Sequence, residues 1–192
     1  MVFVDNLLVA RLGTAPLAAL AMASGLFGLF NIVLIGSCSA VAALIAAALA
    51  QKDHLQVRVV AKQGIVIAFG LVLVMFAAIS FSDHLLVLLG QDPELTPVAR
   101  RYLIAISPGL LFHALYVALR QVVEGHHDTR PSFVIAGAAA VLNFICDQIF
   151  IFGWGPVPAM GIEGAGYATA MVTTFMALMF LAYVVWRPTY QH

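Results

Sequence analysis

Charge is what this sequence has least of. Asp, Glu, Lys and Arg make up 9% of its 192 residues, against 63% hydrophobic ones, and the mean hydropathy is +1.03. A soluble domain carries about 25% charge, so the composition excludes a soluble globular fold and reads as an integral membrane protein. The few charges balance at nine of each sign, which argues against nucleic acid as a partner. Cysteine is nearly absent: Cys38 and Cys146 lie in apolar runs, share no metal or redox spacing, and read as packed thiols. Neither Gly-x-Ser-Gly nor Gly-x-Gly-Asp occurs, and GSCS at Gly36 falls short of the first. An intramembrane protease therefore lacks its minimum, and with no nucleophile–base set the chain is not read as an enzyme. The opening MVFVDNLLVARLG carries an acid where a cleavable leader carries a basic region. It is too short to span a bilayer, so the chain is expected to begin inside a helix whose first half is absent.

Long apolar runs are what the sequence does have. Ala15 to Ala50 runs 36 residues without a charge, roughly 54 Å as a helix against a hydrocarbon core of about 30 Å. Apart from Pro16 at its start, no turn signal interrupts it, so one long helix is favoured over two short spans. Within it Gly25, Gly28, Gly36, Ser37 and Ser39 are expected to let neighbouring helices approach closely. The remaining spans are expected at about 58–81, 93–121, 130–153 and 164–187, after a partial first helix at about 1–12. Pro108-Gly109 should kink the fourth of these six, and SDHLLVLLGQDPEL before it reads as a break lying near the interface. With no internal repeat and no linker, residues 1–192 are expected to form one transmembrane lobe. Assigned to alternating sides, the basic residues divide unevenly. Lys52, Arg58, Lys62, Arg120, Arg130 and Arg187 collect on one side, Arg11, Arg100 and Arg101 on the other. The excess puts the first group and the C-terminus in the cytoplasm of a multi-pass cell-membrane protein, and splitting the long run in two would break this alternation. Trp154, Trp186 and Tyr190 fit interfacial anchors.

Function is sought where polarity interrupts these runs. In LNFICDQIFIFG, Asn143 and Asp147 are four residues apart and share one helix face. An intramembrane aspartate costs about 2.5–3.5 kcal/mol or more to insert and commonly marks an ion or substrate path. That reading is favoured over an interhelical hydrogen bond used as glue. Asp5, taken alone, is either a second intramembrane acid or an acid at a frayed terminus. In GAGYATA, Ala165 and Thr169 are again four apart, and a hydroxyl with the carbonyl one turn earlier can face a small cation. A threonine bonding back to its own helix is the plainer alternative. Carboxylate, amide, hydroxyl and carbonyl oxygens suit a hard cation, or a proton shared between acids that cannot easily both ionise. His113 is read as a satisfied core histidine, and His126, His127 and Asp128 as a solvated loop. Gln148 points about 100° away from Asp147.

Several stretches together resemble the multidrug and toxic compound extrusion (MATE) family. They are VDNLLVARLGTAPLAA from Val4, LLGQDPEL, ALRQVVEGHHDTRPSFVI from Ala118, VLNFICDQIFIFGWGP and GIEGAGYATA, in family order over nearly the whole chain. The resemblance implies an all-α membrane fold, a six-helix bundle with its first helix partial, that is one lobe of a twelve-helix transporter. It implies export of cationic or amphipathic compounds by Na⁺- or H⁺-coupled antiport with alternating access, no cofactor, and the lipid bilayer and a second six-helix lobe as partners. It makes Asp5 the first-helix acid, Asn143 and Asp147 the fifth-helix pair, and Ala165 (through its carbonyl) and Thr169 the sixth-helix ligands, with Na⁺ or a proton at these residues. HHDTR stands where the family has a GLGRTR-like loop. The expected chain is thus an amino-terminal lobe truncated at both ends. A lipid-linked-sugar flippase of the same superfamily is the runner-up, disfavoured because the spans carry acids and few buried cations. A non-transporting remnant or assembly subunit is the reading from another class.

Overall fold

A chain this apolar must satisfy its backbone internally, and helices do so within one segment. The computed structural model describes residues 2–187 and 190. Met1 and Gln191-His192, on which the expected truncations fall, lie outside them. Helix α1 spans Val2–Val9 and passes through a 3₁₀ turn, Ala10–Leu12, into α2, Thr14–Ala50. The charge-free run is therefore one helix of 37 residues. Helix α3 (His54–Ser80) begins four residues before its expected start, because Asp53 caps it: its carboxylate accepts the Gln56 N–H at 2.9 Å. The expected interfacial break contains a short helix, α4, Ser82–Leu88. Helices α5 (Thr96–Ile106) and α6 (Leu110–Gly125) are one span interrupted at Ser107–Gly109, where Pro108 withholds its hydrogen bond and the backbone tightens to 3₁₀. Helices α7 (Arg130–Phe152) and α8 (Ile162–Trp186) complete the bundle. Among the described residues five segments are long and apolar enough to cross a membrane, with α5–α6 counted as one.

Helix α6 lies at the centre, packed on α2, α3 and α8, while α7 and α8 form a hairpin against which α1 leans. Leu20, Leu34, Leu103 and Leu110 fill the main core, which Cys38 joins as a buried free thiol. Close helix contacts occur at glycines other than those expected. A Cβ on Gly64, Gly109, Gly125, Gly164 or Gly166 would meet a neighbouring helix below 3.0 Å, whereas one on Gly25, Gly28 or Gly36 would meet nothing within 4 Å. Spacing marks a smooth helix face but not which neighbour, if any, approaches it.

The HHDTR junction is exposed at His127, Thr129 and Arg130, as expected of a solvated loop, but is tied down at Asp128 and His126. Asp128 Oδ2 accepts hydrogen bonds from the Tyr183 hydroxyl at 2.6 Å and the Tyr190 hydroxyl at 3.2 Å. The His126 ring packs edge-on against Tyr190. This ties the end of α8 to the α6–α7 loop. The Tyr183 hydrogen bond, helped by those from Tyr190 and the Arg130 N–H, holds the Asp128 carboxyl below the usual carboxylate range. A depressed folded value stabilises the fold above the unfolded value of about 4 and is lost as pH falls through the folded one. Asp128→Asn is therefore expected to lower the melting temperature at pH 7 and to leave it at the parent's value near pH 3, read from paired thermal melts. An equal deficit at both pH values would mean that the charge is not what holds the junction.

Candidate functional site

The α7–α8 connection is what brings the polar positions together. Helix α7 stops at Gly153, whose φ of +80° suits glycine. The loop then doubles back, and the N–H groups of Met160 and Gly161 donate to the carbonyls of Phe150 and Ile151 at 2.9 and 3.1 Å. These bonds pin the first turn of α8 beside the last turn of α7. Gly164 makes the approach feasible, since a Cβ there would collide with the Phe150 carbonyl. One turn further into the bundle, Asn143 and Asp147 of α7 and Ala165 and Thr169 of α8 are all buried. Helix α1 closes the third side, where Leu8 and Val9 anchor it in the core and Asp5 is buried beside Asp147, Asn143 and Thr169. Asp147 lies five residues from the end of α7, about 7.5 Å along the axis, nearer that end than the middle of the helix.

The direction of the Thr169 hydroxyl is informative. Thr173 and Thr174 bond back to carbonyls of their own helix, at 2.9 and 2.8 Å. Thr169 instead points across to Asp5 Oδ2 at 3.5 Å, long for a hydroxyl–carboxylate bond. Around it, Asp5 Oδ1, both Asp147 carboxylate oxygens and both polar atoms of the Asn143 amide are buried without a hydrogen-bond partner. Each such group costs about 1–3 kcal/mol if left so, and more when charged. Hard oxygens concentrated in this way fit a small hard cation or a proton. No cluster of three or more His, Cys, Asp or Glu occurs among the described residues, which leaves a transition-metal site unsupported.

Tyr102 is the neighbour that sequence reasoning missed. It is buried on α5 with its hydroxyl beside Thr169 and within the field of both acids. Its only signal was the amphipathic face Thr96, Ala99, Tyr102, Leu103, Ile106, which marks burial and not company. Removing one hydroxyl contact costs about 1 kcal/mol. Tyr102→Phe is therefore expected to weaken cation binding roughly fivefold, read from the midpoint of a cation-dependent melting titration; an unchanged midpoint would confine Tyr102 to packing. His113 lies elsewhere, between α6 and α2, with Nε2 2.9 Å from Asn31 Oδ1 and Nδ1 buried without a partner, so it is only half satisfied. Cys146 is a buried free thiol whose Sγ contacts the Met171 sulfur, and Gln148 is only partly buried.

The chain matches known proteins over its whole length. The MatE family profile covers residues 1–149. A probable multidrug resistance protein NorM of Bradyrhizobium diazoefficiens is 30% identical over 97% of this chain and 40% of its own length. A protein of the same name from Acinetobacter baylyi is 29% identical over 98% of the chain and 42% of its own length. Among solved structures, a MATE protein crystallised in the bent conformation superposes with a TM-score of 0.89 at 22% identity, over 98% of this chain and 42% of that one. The chain thus spans about 40% of the length of the curated relatives it matches.

Proposed function

Starting from the fact that this chain belongs to the MatE family, we propose that it is the cation-binding lobe of a secondary transporter that exports cationic or amphipathic drugs. The coupling ion, Na⁺ or H⁺, is held by Asp5, Asn143, Asp147 and Thr169 with the Ala165 carbonyl. The drug occupies a cavity between this lobe and a second six-helix lobe, and the C-terminal end of α8 faces the cytoplasm. Ion and drug favour opposite-facing states, and this difference is what couples their movements. The observation that carries the reading is the group of unpartnered buried oxygens on Asp5, Asn143 and Asp147, facing one another across α1 and α7. One bound cation removes the repulsion between the two carboxylates and satisfies several of these atoms in a single step. Among the described residues the site holds acids and no arginine or lysine, which favours an exporter of cations over a flippase of anionic lipid-linked sugars.

The test is stabilisation of the isolated chain in detergent. A cation at about a hundredfold excess over its dissociation constant raises stability by about 2.7 kcal/mol. A sodium site gives a melting temperature that climbs with NaCl and not with choline chloride. A proton site gives one that climbs as the pH falls. Either response is expected to vanish in Asp147→Asn, and a parent protein indifferent to both would remove the cation site.

A further inference from the structure

A cavity of about 560 Å³ opens between the start of α7 and the end of α8, at the opposite end of the hairpin from the acid site. Its rim carries Arg130, the first residue of α7, and Arg187, which follows the last residue of α8. One turn deeper along α7 its wall is Val134, and two turns deeper along α8 it is Met179. Both are exposed in this lobe, as is Trp186, at 84%. The Arg187 guanidinium is steadied over the Tyr183 ring, 5.1 Å from its centroid. Asp128 also lines the cavity, but its Oδ2 is occupied by two tyrosine hydroxyls. Among the described residues the ion pairs are Arg100–Asp83, Arg101–Glu163 and Arg120–Glu124, so neither rim arginine has a carboxylate within ion-pair distance. Two guanidinium groups against one engaged carboxylate leave a net positive rim.

Cations at the helix ends above an exposed aliphatic wall match a molecule with a phosphate head and hydrocarbon tails. We propose that this groove binds an anionic phospholipid, its phosphate between Arg130 and Arg187 and an acyl chain along Val134 and Met179. Guanidinium groups suit phosphate because they offer paired donors in a planar fork. A cationic drug is repelled by the same rim. The lipid lies against the Asp128 junction and so supports the end of α8, whose other end carries Thr169.

Tryptophan quenching tests this, because the chain has two tryptophans and Trp154 belongs to the α7–α8 loop at the far end of the hairpin. In the W154F chain, Trp186 alone reports. It is reconstituted into phosphatidylcholine vesicles containing rising fractions of phosphatidylglycerol or phosphatidylcholine with brominated acyl chains. Each arginine near an anionic surface is worth roughly fivefold in lipid affinity, so quenching by brominated phosphatidylglycerol is expected at an order of magnitude lower mole fraction. R130A/R187A is expected to erase the difference and R130K/R187K to keep most of it. R58A/K62A, which removes the same charge from the same end outside the cavity, leaves it unchanged. Equal quenching by the two lipids in the W154F chain, or a preference surviving R130A/R187A, overturns the proposal. So does loss of the preference in R58A/K62A, which would reduce it to general surface charge. Competition by millimolar glycerol phosphate in solution would assign the site to a free phosphate and overturn the lipid.

Discussion

Efflux driven by a cation gradient is expected to fall about a hundredfold or more when Asp147 is replaced by Asn, since the bound cation loses one of its two carboxylates, and truncating one side of a buried charge pair costs about 3 kcal/mol or more in binding. Asparagine keeps the shape and the hydrogen-bonding oxygen but can neither take up a proton nor neutralise a sodium ion. The measurement is uptake of a fluorescent organic cation into everted vesicles, with this lobe completed at both ends by the remaining parts of a NorM relative. A stability measurement separates the proposed role from simple misfolding. Asp147 is buried with both carboxylate oxygens unpartnered, a costly arrangement whenever it is charged. Asp147→Asn should therefore melt at the same or a higher temperature in the absence of coupling ion, while transport is lost. Undiminished efflux would take Asp147 out of the mechanism, and loss of efflux together with a lower melting temperature would assign it to structure.

The second large effect concerns two glycines on the same hairpin, with opposite signs. In Gly164→Ala the new methyl would collide with the Phe150 carbonyl and lie 2.8 Å from the Ile151 nitrogen. Both are backbone atoms of the last turn of α7, held by the Met160 and Gly161 hydrogen bonds, so neither can rotate away. The helices must separate, at a cost of about 3 kcal/mol, and Thr169 moves away from Asp5 with them. Gly137→Ala, on α7, meets nothing within 4 Å and gains helix propensity worth roughly 0.5–1 kcal/mol. Thermal melts of both variants, with the cation response recorded alongside, check the pair. Similar stability for the two would mean that the close crossing at Gly164 does not govern how α7 and α8 pack.

How much of the site could be read from sequence differs from residue to residue. Asn143 and Asp147 were legible because a four-residue spacing on a helix is local geometry. Asp5 and Thr169 were not, since each alone fits a bland reading, and only the resemblance joined them to the pair. Tyr102 left no trace of its role, because it reaches the site from α5, a helix whose sequence says only which face is buried. The small residues of α2 misled for a related reason. Gly25, Gly28 and Gly36 mark a smooth face, yet the close contacts of this lobe use Gly109, Gly125 and Gly164. At Asp128 the residue types suggested solvent, while the structure binds the carboxylate with tyrosines 55 and 62 positions away.

By itself the sequence determined that this is a membrane protein of long helices, where those helices break, and that one of them carries an amide and an acid on a single face. Those properties follow from composition and from hydrogen bonds closing four residues apart, which every segment decides for itself. The tertiary structure alone decided which faces meet. It turned the Thr169 hydroxyl from its own helix toward Asp5, brought Tyr102 in from α5, and set α8 against the carbonyls at the end of α7. Those outcomes depend on helix rotation and crossing, which are fixed by packing between residues far apart in the chain.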